Sequence, residues 1–471
     1  MPGGGRNVAA ADVMAGPTTS QDGAVAIRGA ALCLVADPFV VPSAEALRHE
    51  PDALVVMEGG RIVAFDAADR LLPVLAPGTP VTHYPDALIV PGFVDAHVHY
   101  AQLPIIGAFG RTLLDWLEHY TFVVEARGAD PAFAAATAEA YLDECLRQGI
   151  TSASVYGTVH PGSVDALFAA ALRRGMRLVA GKVLMDRNAP AALTDTAQSG
   201  YDESKALITR WHGRGRLAYA VTPRFAPTST PAQLAAAGAL VAEHPGTYLQ
   251  THLAETHEEI AWVRELFPDA RDYLDVYARH GLVGRRSVFG HGVHLAEDAW
   301  QRLHDAGAAV AHCPTSNNFL GSGLFRMADA KRAPRPVRVA LATDVGGGTT
   351  LSMFGTMNEA YKVARHTGFP LTAAQALWLA TGGGADALDL AGTIGGLTAG
   401  HDADVAVLDL AATPLLRYRI PYCESIEEAF AVLTMLGDDR AVRATYVAGR
   451  LAHEREGQPR ARIAPSRRDG A

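Results

Sequence analysis

The chain predicts an α/β fold: a (β/α)8 barrel of the TIM type, with a small β-sandwich built from both chain ends. Three observations predict it. Short apolar strands alternate with helical patterns across 91–392. Eight such strands can be counted there. The flanking segments, 24–90 and 393–453, instead carry alternating apolar runs punctuated by Gly and Pro. A length of 471 residues suits a barrel plus a smaller domain better than one minimal domain.

The elements follow in chain order. Residues 1–23 are rich in Gly, Ala, Ser and Thr and lack an apolar core segment. They are expected to be a disordered N-terminus and not a secretory leader. Residues 53–58 and 61–67 alternate apolar with polar and read as β-hairpin strands, as do 402–410 and 441–450. The eight barrel strands are expected at 93–97, 151–156, 178–184, 217–222, 248–252, 287–291, 308–312 and 337–343. Ala-rich stretches with helical spacing, such as 131–148 and 231–243, lie between them. The last segment, 454–471, mixes five arginines with acidic residues and reads as a solvated tail.

Composition narrows the function classes. Hydrophobic residues make up 49% and charged residues 19%, as in soluble globular proteins. The net charge of −9 argues against a nucleic-acid surface, which needs clustered Lys and Arg. No run approaches the roughly 18 apolar residues of a membrane span. Cys33, Cys145, Cys313 and Cys423 are scattered and form no CxxC pair, which fits free thiols in a reducing compartment. The expectation is a cytoplasmic protein with neither nucleic-acid nor membrane partners.

Barrel enzymes carry their chemistry at the C-terminal ends of their strands. The first strand ends in Asp95-Ala96-His97-Val98-His99. Residues two apart on a strand face the same way, so His97 and His99 can hold one metal ion. The fifth ends in Thr251-His252-Leu253-Ala254-Glu255, the sixth in Gly290-His291-Gly292, the eighth in Thr343-Asp344. His97, His99, His252 and Asp344 would supply three imidazole nitrogens and a carboxylate, a set suited to zinc, with iron as the alternative. Such a metal lowers the pKa of a bound water toward about 7. Asp344 can both ligate and take the water's proton. His291 orients or polarises that water, or else serves as a fifth ligand. Glu255 can pass a proton to a ring nitrogen and then to a leaving group; its bland alternative is an acidic residue favoured in a helix's first turn.

At this point the residues resemble a family. Pro91-Gly92-Phe93-Val94-Asp95-Ala96-His97-Val98-His99 resembles the opening motif of the amidohydrolases. Gln102, the run Leu114-Asp115-Trp116-Leu117 with Tyr120-Thr121-Phe122 and Glu125, and Gly181 to Asp186 narrow this to the guanine deaminases. Thr222-Pro223-Arg224-Phe225, His312-Cys313-Pro314-Thr315-Ser316-Asn317 and Leu436 to Arg440 point the same way. The similarity runs from about 85 to 450.

The resemblance implies one zinc per subunit on His97, His99, His252 and Asp344. It implies a purine held by Gln102, Arg224 and Phe225, with His99, His252, Glu255 and Asp344 also facing it, and a proton shuttle at Glu255. It further implies a homodimer and the hydrolysis of guanine to xanthine and ammonia. Arg224 has forked donors suited to the guanine carbonyl, and Gln102 can donate and accept at once. An internal ion pair for Arg224 and a loop-capping contact for Gln102 are the alternatives. Phe225 stacks on the base or fills the wall. Two departures stand out: Thr256 follows Glu255 where the family has Asn, and Gly346-Gly347-Gly348 is unusually Gly-rich.

Other readings are a deaminase of a related heterocycle such as a pterin or modified purine, and a catalytically inactive assembly protein of the same fold. Hydrolysis of a cyclic amide, which usually needs two metals, is a third. Lys182 is not expected to bridge two metals, since the fourth strand, where such a lysine belongs, ends in Arg224. His257-Glu258-Glu259 is expected on a helix surface, and His312 as a hydrogen-bonded buried group.

Overall fold

Eight parallel strands form the barrel: Phe93–His99, Ile150–Tyr156, Arg177–Gly181, Leu217–Pro223, Tyr248–Leu253, Ser287–His291, Ala309–His312 and Arg338–Leu341. The computed structural model describes residues 23–110 and 113–456, and the backbone of 463–464. Apart from Gly23, the expected disordered N-terminus therefore lies outside the described residues. Each barrel strand pairs with the next in chain order, as right-handed β-helix-β crossovers require. They are buried almost throughout, which is why they read as apolar runs. The third expected strand, 178–184, breaks at Lys182, and its end, Val183–Leu184, pairs separately with Thr222 and Pro223.

The ring closes between the first and eighth strands without a regular ladder. Asp344 N donates to the His97 carbonyl at 2.9 Å, and His99 N to the Val345 carbonyl at 2.8 Å. Asp95 seals the same seam: its carboxyl accepts from Thr343 N at 3.0 Å and Thr343 Oγ1 at 2.5 Å. Burial pushes the Asp95 carboxyl up to about 7.

The connecting helices start where local chemistry allows. Pro131–Arg147 has Pro at its first position, and Asp130 accepts from Ala132 N. Pro231–Glu243 repeats the device with Thr230.

The two chain ends meet in one continuous mixed sheet. Its path runs Arg450–Glu454, Val442–Val447, Val405–Asp409, Val81–Pro91, Val25–Leu34, Leu47–Glu58 and Arg61–Ala67. The join is the antiparallel pairing of Val405–Asp409 with residues 87–91. Leu47–Glu58 and Arg61–Ala67 form the expected hairpin across Gly59 and Gly60, both at positive φ. One segment departs from expectation: Ile463–Ala464, within the presumed solvated tail, pairs antiparallel with Thr82 and Val81. The rest of 457–471 lies outside the described residues.

Asp402 fastens this sheet to the floor of the barrel. Its side chain, 2% exposed, meets Arg177 at 2.7 Å, Arg216 at 2.9 Å and Arg61 at 2.8 Å. Arg177 opens the third barrel strand and Arg216 immediately precedes the fourth, so the tie lies at the end away from the strands' C-termini. Among the described residues no helix is long and apolar enough to cross a membrane. Cys33, Cys145, Cys313 and Cys423 are all free thiols.

Candidate active site

The strand ends bring the expected residues together. His97 and His99 leave the first strand on one face, His252 sits on the fifth, and Asp344 follows the eighth. Their ligating atoms all lie within 4.8 Å of one another, and all four residues are buried. His99 Nε2 is 3.2 Å from His252 Nε2. Asp344 Oδ1 is 3.2 Å from His97 Nε2 and 3.5 Å from His99 Nε2.

The site fits a metal by its own chemistry. His252 Nδ1 donates to the Arg224 carbonyl at 2.7 Å, so its Nε2 turns a lone pair toward His99. His97 Nε2 is buried, and its 3.2 Å contact with Asp344 Oδ1 is not aligned as a hydrogen bond. Burial, reinforced by His97, holds His99 and His252 well below the ordinary histidine range. Asp344 lies below the usual carboxylate range, because His97 and its neighbours outweigh burial. Neutral imidazoles beside an ionised carboxylate are the protonation states a cation needs. A second grouping, His97, His291, Cys313 and Asp344, shares two of these residues. Burial keeps Cys313 a thiol, so the three-imidazole set is the better donor set.

The backbone is bent to aim these groups. Of the six described non-glycine residues at positive φ, three are Ala254, His291 and Asp344, at the ends of the fifth, sixth and eighth strands. Each costs about 1–3 kcal/mol, and such costs gather at functional sites.

Glu255 and His291 face the same space. His291 Nε2 is 3.5 Å from Glu255 Oε2 and 3.7 Å from Asp344 Oδ2. Burial opposes charge on His291, but Glu255 and Asp344 outweigh it and raise its pKa. Burial raises Glu255 too. Ser322 Oγ donates to Glu255 Oε1 at 2.8 Å.

His99, Gln102, Arg224, Phe225, His252, Glu255, His291 and Asp344 all line one pocket. His97 lies behind them, fully buried. The pocket is roofed by Leu113, Trp116 and Leu117 from the helical segment 113–126. Phe225 packs edge-on to His252 at 6.4 Å between ring centres. Arg224 makes the internal ion pair that was its alternative: one terminal nitrogen reaches both oxygens of Glu125, at 2.9 and 2.7 Å. It also lines the pocket.

Both departures from the family pattern find a physical reason. Thr256 caps the helix His257–Leu266, accepting from Glu259 N at 3.1 Å. Asn caps equally well, so the exchange preserves the local structure. The Gly-rich run lies against its surroundings. A Cβ on Gly348 would sit 1.7 Å from the Thr343 carbonyl oxygen, and one on Gly346 would sit 2.9 Å from that of Gln102.

Several residues make contacts here that the sequence did not reveal. Glu259, expected on a helix surface, is 1% exposed and accepts the Glu255 amide at 2.8 Å and the Tyr273 hydroxyl at 2.6 Å. Asn317 Oδ1 holds His291 Nδ1. His312 is buried against the Phe325 ring, but its Nδ1 has no hydrogen-bond partner, contrary to the expectation of a satisfied group. Lys182 is a buried ion-pair partner of Asp195 and Glu203, at 2.6 and 3.0 Å.

The chain as a whole is similar to several known proteins. The profile of the amidohydrolase family matches residues 88–452. The guanine deaminase of Escherichia coli (strain K12) is 48% identical over 412 residues, covering 88% of this chain and 93% of that one. The E. coli guanine deaminase structure superposes with a TM-score of 0.88 at 45% identity, over 92% of this chain and 100% of that one. A C. acetobutylicum guanine deaminase with guanine bound in its active site gives 0.81 at 25% identity, over 91% and 100%. An adenosine deaminase from Xanthomonas campestris with bound zinc gives 0.77 at 27% identity, over 91% and 92%.

Proposed function

The chain belongs to the amidohydrolase family, and from that membership we propose that it hydrolyses guanine to xanthine and ammonia. The observation that carries this reading is a single pocket in which the His97, His99, His252 and Asp344 cluster adjoins Glu255 and the Arg224–Gln102 donor pair. The Escherichia coli relative and the guanine-bound C. acetobutylicum structure support the choice of base.

His97, His99, His252 and Asp344 would hold one zinc per subunit, with iron as the alternative; their nitrogen and oxygen donors suit both. A metal held there supplies the Lewis acidity that lets water act as a nucleophile near neutral pH. Arg224 donates to the guanine carbonyl, and Gln102 offers its amide to the ring edge. Phe225 forms the pocket wall beside His252. Asp344 accepts a proton from the attacking water, and His291, between Glu255 and Asp344, orients that water. Glu255 carries a proton to the ring nitrogen next to C2 and then to the departing amine. Water adds at C2, the C2–N bond breaks, and nitrogen leaves as ammonia. Leu113, Trp116 and Leu117 keep bulk water from the reacting carbon.

We extend the proposal to a cytoplasmic homodimer, which light scattering and cell fractionation test directly. The decisive experiment incubates metal-replete protein with guanine, adenine, cytosine and a pterin in parallel. Equal release of xanthine and ammonia from guanine is the expected result. Turnover of the pterin with guanine untouched would replace this substrate with the alternative one. A metal-free, inactive preparation that zinc does not revive would favour the assembly-protein reading.

A further inference from the structure

Glu125 is fully buried, yet no step of the proposed chemistry uses it. Its carboxylate accepts from Gln102 Nε2 at 2.7 Å and from one Arg224 terminal nitrogen at 2.9 and 2.7 Å. Gln102 is also fixed at its other end: Oε1 accepts from Gly346 N at 3.0 Å. That pair of bonds decides which way the amide points, since its carbonyl is committed to Gly346 and its NH2 group to the carboxylate side. Phe122, three residues before Glu125, lies 5.8 Å from the Arg224 guanidinium. One short helix, Phe122–Ala126, therefore holds both side chains that line the base pocket.

The second consequence is electrical. Arg224 is 3% exposed, so its charge is not diluted by bulk water. Glu125 cancels that charge while leaving the other guanidinium donors available. This side of the pocket thus offers hydrogen-bond donors whose positive charge is paired, which suits a neutral base. Xanthine, unlike guanine, loses a ring proton near neutral pH, and its anion would be held by an unpaired guanidinium.

We propose that Glu125 is a positioning and specificity residue: it aims Gln102 and Arg224 at a neutral purine, and by neutralising Arg224 it disfavours retention of the ionised product. This rests on the guanine reading above. Loss of Glu125 should weaken neutral substrate and strengthen anionic product, a swing that simple loosening of the fold would not produce.

The test compares wild type with Glu125→Gln, measuring metal content, KM and kcat for guanine, and inhibition by xanthine below and above neutral pH. The expected result is unchanged metal content and a KM raised about 10- to 100-fold, the range for losing a charged hydrogen bond. The fall in kcat should be smaller. Xanthine inhibition should tighten with rising pH in the variant far more than in wild type. The double variant Glu125→Gln/Arg224→Gln should lose that pH-dependent tightening. An unchanged KM would overturn the positioning role, and parallel pH courses for xanthine would overturn the electrical one. If Glu125→Gln alone fails to fold, the double variant decides: recovery of folding supports charge pairing, and equal instability overturns it. Failure of wild type to deaminate guanine would instead overturn the reading on which this rests.

Discussion

Asn317 Oδ1 stands 2.9 Å from His291 Nδ1, and this contact selects the proton position on the ring. The Nδ1 proton is committed to the amide oxygen, so Nε2 faces Glu255 and Asp344. Asn317→Ala should lower kcat roughly 10- to 100-fold, the usual cost of losing such an orienting partner. Metal content should be unchanged, since Asn317 touches no member of the His97, His99, His252 and Asp344 cluster. Asn317→Asp retains the acceptor and should recover most of the loss. Full activity in the alanine variant would remove His291 orientation from the mechanism.

Glu255 has no bound role in the metal cluster, so chemistry and metal binding should separate there. Glu255→Gln is expected to lose about 10²- to 10⁴-fold in kcat while keeping its metal. Steady-state rates alongside elemental analysis check both halves. Near-normal turnover would reassign the proton transfer to Asp344 or His291.

Removing the metal tests the cluster itself. A chelator should abolish turnover, and zinc should restore it. Thermal stability should fall in the apo form, because a ligand at 100 times its Kd contributes about 2.7 kcal/mol. Asp344→Asn removes the charged donor and should lose both metal and rate. An apo protein that melts at the holo temperature would show that the cluster binds no ion tightly.

The Thr256 cap makes a narrower prediction. Thr256→Ala should cost about 1 kcal/mol of stability, the typical value of an N-cap. Thr256→Asn should leave both melting temperature and kcat/KM near wild type. A changed substrate preference in the asparagine variant would mean that Thr256 reaches the pocket, against its capping contact.

The barrel and the cluster of His97, His99, His252 and Asp344 were legible because their signals are local. Strand ends such as His97-Val98-His99 carry both periodicity and chemistry in a few residues. What escaped depends on distant convergence. Glu125 and Asn317 stand in the family-like segments, but their partners do not show in sequence, and Glu259 reads as a solvated helix residue; only packing brings Glu125 to Arg224, 99 positions away. Glu259 illustrates the failure well. Its neighbours His257 and Glu258 are exposed, but the capping box with Thr256 turns Glu259 back against the Glu255 amide. Ile463–Ala464 escaped for a different reason: two residues are too short to show strand alternation.

Asp402 gives the last prediction, at the face of the barrel remote from the pocket. Its carboxylate joins Arg61 of the end sheet to Arg177 and Arg216 of the barrel floor. Burial works to raise its pKa, but Arg177 and Arg216 outweigh burial and leave it below the ordinary value. A carboxylate depressed in the folded state stabilises fully above its unfolded pKa, about 3.9, and loses that stabilisation as pH falls through the folded value. The wild type should therefore gain acid lability below about pH 4 from this site. Asp402→Asn should lose about 1–3 kcal/mol at neutral pH, since mostly buried Arg177 loses its carboxylate while Arg216 keeps Asp404 and half-exposed Arg61 is screened by water. The variant's stability should then fall less steeply with acid than that of the wild type. Metal content and kcat should not change, because the candidate site lies at the strands' C-terminal ends, away from this floor. Denaturant melts of both proteins across acid pH check the slope, and identical slopes would remove Asp402 from the acid response.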